Sequence, residues 1–126
     1  MRPEPGSDLT ARIIGLAIQV HRALGPGLLE SVYSQCLMWE FQQHGLCAER
    51  EVPLPLVYQG HRLEKSFQAD IIVERTVLIE IKTVEHILPL REAQTRTYLR
   101  LSNCEIALLM NFNTQMLKDG LRRFIP

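Results

Sequence analysis

Cysteine is scarce and follows no pairing pattern. Cys36, Cys47 and Cys104 are an odd set, widely spaced, with no CxxC. That excludes a disulfide framework and offers no zinc or iron–sulfur spacing, so buried free thiols are the expectation. The four histidines, His21, His44, His61 and His86, are equally scattered, and none stands at metal-ligand spacing from another. No apolar run approaches the ~18 residues of a membrane span. The opening MRPEPGSDLT lacks the apolar stretch of a secretory signal. A cytoplasmic protein with no membrane association is expected. An excess of either charge is also missing. The 14 Lys+Arg balance the 14 Asp+Glu, for a net charge of 0. The chain therefore lacks the basic surplus with which proteins grip duplex nucleic acid through many phosphates, although a local basic patch remains open.

What is present is the balance of an ordinary soluble globular domain: 126 residues, 46% hydrophobic and 22% charged. That length buries one core without disulfide staples. Residues 1–7, with two prolines and a glycine, read as a flexible arm, and 8–126 as the domain. Asp8 is a plausible N-cap, after which Leu9, Ile13, Leu16, Ala17, Val20 and Leu24 recur at helical spacing. Gly25-Pro26-Gly27 stops this helix. A second runs from about Leu28 to His44, with Leu29, Val32, Tyr33, Cys36, Leu37 and Phe41 on one side. The period then changes to two. Residues 46–58 read as a strand whose Pro53 and Pro55 place it at an edge or make it irregular. One or two strands follow over 61–73, then the β-branched strand 76–83. A third helix covers about 90–101, a buried strand 104–111, a turn 118–120, and a short strand LRRFI closes the chain. One mixed sheet flanked by helices packs this order.

The chemistry lies in polar residues at positions that the pattern buries. In strand 76–83, Val77, Ile79 and Ile81 point to one face, and Leu78, Glu80 and Lys82 to the other. Burying a carboxylate and an ammonium costs several kcal/mol each unless they are paired or bind an ion. Asp70 interrupts the apolar run of the preceding strand, and pairing of the two strands brings it beside Glu80. Two carboxylates so placed can hold a hard divalent cation such as Mg²⁺. The cation acidifies a water and stabilises charge on a phosphodiester, while Lys82 orients the water or neutralises the phosphate. The bland alternative is a Glu–Lys pair on a solvated strand face with an unrelated Asp. On the second helix Glu30 falls within or beside the buried arc of Tyr33, Leu37 and Phe41. On the third, the inward arc is Leu90, Ala93, Gln94, Thr97, Tyr98 and Leu101.

The set resembles the PD-(D/E)XK nuclease superfamily, and the whole chain resembles its small GxxExxY branch. The naming motif stands as Gly27-Leu28-Leu29-Glu30-Ser31-Val32-Tyr33 within LGPGLLESVY. VPLPLVYQG, FQADIIVE, IEIKTVE, AQTRTYLRL, NFN and LKDGLRR follow in order, so the likeness runs from about residue 9 to the end. It implies an α/β, restriction-endonuclease-like domain with core order α-β-β-β-α-β. It implies Asp70 and Glu80 as metal-binding carboxylates and Lys82 as the lysine of the E-x-K element. Glu30 becomes the helix carboxylate that supports the metal or its waters. Gln94 and Tyr98 match the Q-x3-Y element of RecB-like nucleases, which contacts DNA or supports the site. Where the branch often carries His, three residues before the glutamine, this chain has Arg91.

Tyr98, Arg91 and Arg96 are the candidate substrate contacts. Arg96 and Arg100, one turn apart, could reach a phosphate or form a solvated face. Lys118, Arg122 and Arg123 could form a small basic patch or a solvated surface. Trp39 and Phe41 read as core or dimer contacts. The expectation is a Mg²⁺- or Mn²⁺-dependent deoxyribonuclease acting on DNA, with a homo-oligomer or a partner protein open. The competing class is a non-catalytic module that uses the same fold to bind nucleic acid or a protein.

Overall fold

The computed structural model describes residues 7–126, the side chains of residue 7 and residues 64–66 excepted. The arm expected over 1–7 lies outside the described residues except for Ser7, which already belongs to α1 (Ser7–Leu24). Asp8 therefore sits in the first turn rather than at the cap, where its carboxylate faces the positive end of the helix. Gly25 and Gly27 take φ of 70° and 100°, which breaks the chain away from α1. Leu29 is extended, so α2 (Glu30–Gln43) starts later than the hydrophobic pattern suggests. Leu29 itself, expected to be buried, is 74% exposed.

A five-stranded sheet follows, in the order β1-β2-β3-β4-β5. Its strands are β1 (Ala48–Tyr58), β2 (His61–Val73), β3 (Val77–Lys82), β4 (Ile106–Asn111) and β5 (Leu121–Phe124). β1 is the edge strand that its prolines require, and the register slips between Leu54 and Leu56, at Pro55. Residues 61–73 form one long strand antiparallel to β1. β2 and β3 join through Glu74 and Arg75, both left-handed. β3 and β4 run parallel, with α3 (Pro89–Ser102) between them in sequence. Such a pair needs a long crossover, and its strands are buried on both faces, which explains why they are apolar apart from Glu80, Lys82 and Asn111. The expected turn at 118–120 is a short 3-10 helix, Leu117–Gly120.

The helices cover both faces. Ile13, Ala17, Tyr33, Leu37 and Phe41 of α1 and α2 pack on Ile71, Val77, Ile79, Ile81, Leu108 and Met110. Tyr98 and Leu99 of α3 pack on Ala69, Ile72, Leu78, Ala107 and Leu109. α3 is rotated from the expected arc. Thr95, Tyr98 and Leu99 face inward, while Ala93 is exposed and Leu90 is 69% exposed. Phe41 is core, but Trp39 is 58% exposed. All three cysteines are free, as expected, yet only Cys104 is buried; Cys36 is intermediate and Cys47 exposed. No described helix is long and apolar enough to cross a membrane.

Candidate active site

The β2–β3 ladder stops at Ile71 opposite Ile79. The next rung would set Asp70 against Glu80. The two carboxylates take over that rung instead. The Asp70 amide donates to Glu80 Oε1 at 3.2 Å, and the Ile81 amide donates to Asp70 Oδ2 at 2.7 Å. Each side chain thus satisfies a backbone donor that the parting strands would otherwise orphan. Glu80 is only 4% exposed. Burial, and then the Asp70 carboxylate, push its pKa up to about 8, against the Asp70 amide and Lys82. Burial also raises Asp70, opposed by the Ile81 amide and Lys82 and reinforced by Glu51. Two like charges sharing a half-dry site disfavour full ionisation of both.

The helices bring further groups from the two faces. Glu30, first residue of α2, is exposed overall but lines a hollow with Asp70, and its charge adds to the rise of Glu80. Its position is set by the loop before it. The Tyr33 hydroxyl donates to Gly25 O at 2.5 Å and accepts from the Leu28 amide at 3.3 Å. The Tyr33 ring stacks on Phe112 with centroids 4.4 Å apart. The tyrosine of the GxxExxY segment is therefore a buried clamp on the loop that delivers the glutamate. On α3, Gln94 Nε2 donates to the Tyr98 hydroxyl at 2.9 Å. Burial and then Glu80 raise the Tyr98 pKa, with Asp70 also pushing upward, while Gln94 and Arg91 act downward. The acidic pair thus acts on Tyr98, and Gln94 and Arg91 act on that same hydroxyl.

Arg96 does not. Its guanidinium lies 4.6 Å from the centroid of the Phe124 ring. It borders a separate hollow with Leu99, Arg100 and Cys104. The one-turn spacing to Arg100 is real, but both side chains serve the β5 side of α3.

Three neighbours of the site escape a reading of the sequence. Glu51 stands opposite Asp70 in the β1–β2 register, with φ of 52°, and drops out of the ladder. Arg50 and Ser34 line the same hollow. A left-handed non-glycine residue inside a strand leaves no mark in hydrophobic periodicity. A fourth residue, Asn111, braces the segment after Lys82. Its Nδ2 donates to Val84 O at 2.7 Å, and its Oδ1 accepts from the Val84 and Asn113 amides, each at 3.1 Å.

Among the described residues, no three His, Cys, Asp or Glu side chains form a ready-made metal cage. The donor set nonetheless suits Mg²⁺ or Mn²⁺. It is oxygen-only, its carboxylates repel each other, and Mg²⁺ is commonly held by one or two carboxylates with waters completing the shell. Asp70 and Glu80 would be its ligands, with Glu30 nearby.

The layered sheet and the carboxylate pair at its parting strands define a restriction-endonuclease-like α/β domain. A family model described as the PD-(D/E)XK nuclease superfamily matches residues 7–124, and the chain belongs to that superfamily. Members of the superfamily are generally nucleases and typically use divalent metal ions. Comparison with curated proteins and with solved structures gave no match.

Proposed function

We propose that the protein is a Mg²⁺- or Mn²⁺-dependent deoxyribonuclease that hydrolyses phosphodiester bonds at Asp70, Glu80 and Lys82. The observation that carries this reading is the crossed carboxylate rung. A buried glutamate with its pKa lifted to about 8 by burial and a neighbouring aspartate is unfavourable in a purely structural role. A divalent cation there supplies charge compensation and a more acidic water. Lys82 projects from the same face of β3 as Glu80 and offers its ammonium to the attacking water or to a phosphate oxygen. Gln94 holds the Tyr98 hydroxyl at the α3 wall, and Arg91 is the substrate contact at the helix start. Glu30 orients water on the α2 side. The test is a cleavage assay over single-stranded, duplex and branched DNA with Mg²⁺ or Mn²⁺, run beside a metal-dependent thermal shift.

One observation favours a second reading. The net charge of 0 provides little general attraction for a polyanion, as suits a module that binds through a partner. Metal binding without cleavage across that substrate panel would make it the better account.

A further inference from the structure

We propose that Ser34, Ser31 and Arg50, with the uncapped first turn of α2, form a subsite for the substrate phosphate adjoining the one cleaved. The proposal rests on the nuclease reading above. A hollow of about 170 Å³ lies between α2 and the edge strand β1, continuous with Asp70. At a share of ~30 Å³ per water, it has room for a phosphate group and a few waters. Ser34 lines it, is 7% exposed, and has no hydrogen-bond partner among the described residues. A serine inside a helix ordinarily bonds back to the preceding turn or points into bulk water. Ser34 makes no such back-bond, and on a nearly buried residue its hydroxyl is left open on the cavity.

The same wall carries the start of α2. Its cap residue is Leu29, which makes no side-chain cap bond. The Val32 amide donates to Leu29 O at 3.1 Å, but the Glu30 and Ser31 amides ahead of it have no intrahelical acceptor, and with the partial positive charge of the helix start they suit an anion. Arg50 adds a guanidinium and has no ion-pair partner among the described residues, although Glu30 and Glu51 border the same hollow. Guanidinium, two hydroxyls and a helix start are complementary to the oxygens of one phosphate.

The opposite wall is acidic, from Glu30, Glu51 and Asp70. An anion alone is repelled by it, so the hold should depend on the divalent cation that offsets those carboxylates. Recognition of one positioned phosphate also suits a chain with no net charge, because it requires no extended basic field.

The test uses a set of oligonucleotides, each with one phosphate replaced by a neutral methylphosphonate. Cleavage, and binding by fluorescence anisotropy with and without Mg²⁺, are measured for wild type, Arg50→Ala and Ser34→Ala. In wild type, neutralising the phosphate next to the cleaved bond should weaken Mg²⁺-dependent binding about tenfold. Arg50→Ala should cause a similar loss with the unmodified strand, and the same neutral position should then cost it little more. Ser34→Ala should weaken binding about fivefold while the free protein melts at the same temperature or higher, because its hydroxyl is unpaired in the free fold. Equal sensitivity to the neutral position in wild type and Arg50→Ala would overturn the subsite. So would a Ser34→Ala protein that melts lower but binds normally. A protein that binds with this pattern yet cleaves nothing keeps the subsite and refutes the nuclease reading. One that cleaves without positional sensitivity does the reverse, and one that neither binds nor cleaves refutes both.

Discussion

Glu80 is held in a medium that disfavours its charge, and this gives the free protein a characteristic pH response. Its pKa is about 8 in the fold against 4.5 for an ordinary glutamate. Between those values the native state keeps a proton that the unfolded chain has lost. Stability of the metal-free protein should therefore fall as pH rises through that window and level off above it. Asp70, raised as well, acts in the same sense. Thermal melts in chelator from about pH 5 to about pH 8 should show the decline, saturating Mg²⁺ should remove most of it, and Glu80→Gln should flatten it. A slope unchanged in Glu80→Gln would mean that other groups cause it. The neighbouring lysine separates ligand from catalyst. Glu80→Ala should abolish both the Mg²⁺-dependent melting shift and cleavage. Lys82→Ala should keep the shift and lose roughly 100-fold or more in turnover, the size of effect seen when one transition-state donor is removed.

The elements explain which parts of this were legible in the sequence. Asp70, Glu80 and Lys82 stand out because polar residues break a period-two apolar pattern, and strand pairing then places them. Tyr33 follows from helical spacing, whereas Glu30, expected within or beside the buried arc, is exposed at the first position of α2. Leu90 misleads because the start of α3 carries it into solvent, and helix periodicity alone does not show how a helix is rotated on its sheet. Glu51 is hidden because its left-handed φ opposite Asp70 arises from the strand pairing. Tertiary bracing is equally silent. Asn111 is buried, and it ties β4 to the segment leaving β3. Asn111→Ala orphans both Val84 backbone groups and should destabilise the fold by about 2–4 kcal/mol in urea melts; a loss below about 0.5 kcal/mol would show that water replaces the side chain. The loop clamp makes a separate prediction. Tyr33→Phe removes only the hydroxyl that holds Gly25, should lower stability by about 1–2 kcal/mol, and should reduce turnover through Glu30. Full activity in Tyr33→Phe would release Glu30 from any dependence on that bond.

At the scale of the molecule, two buried layers on a mixed sheet fix the site while leaving it at the margin where β2 and β3 part. The central strands β3 and β4 are almost wholly buried and supply rigidity. The carboxylates lie where the ladder ends, and α2 and α3 approach them from opposite faces. The neutral chain implies that substrate is held by a few placed groups, so binding should weaken only modestly with salt compared with a strongly basic DNA-binding protein. The central claim is that the crossed Asp70–Glu80 pair, with Lys82, performs metal-dependent phosphodiester hydrolysis. Its most direct test is cleavage of a mixed panel of single-stranded, duplex and branched DNA by wild type and Glu80→Ala, in Mg²⁺, in Mn²⁺ and in chelator. The account predicts cleavage by wild type only with metal and none by Glu80→Ala. Equal cleavage by the two proteins, or cleavage by wild type in chelator, would contradict it.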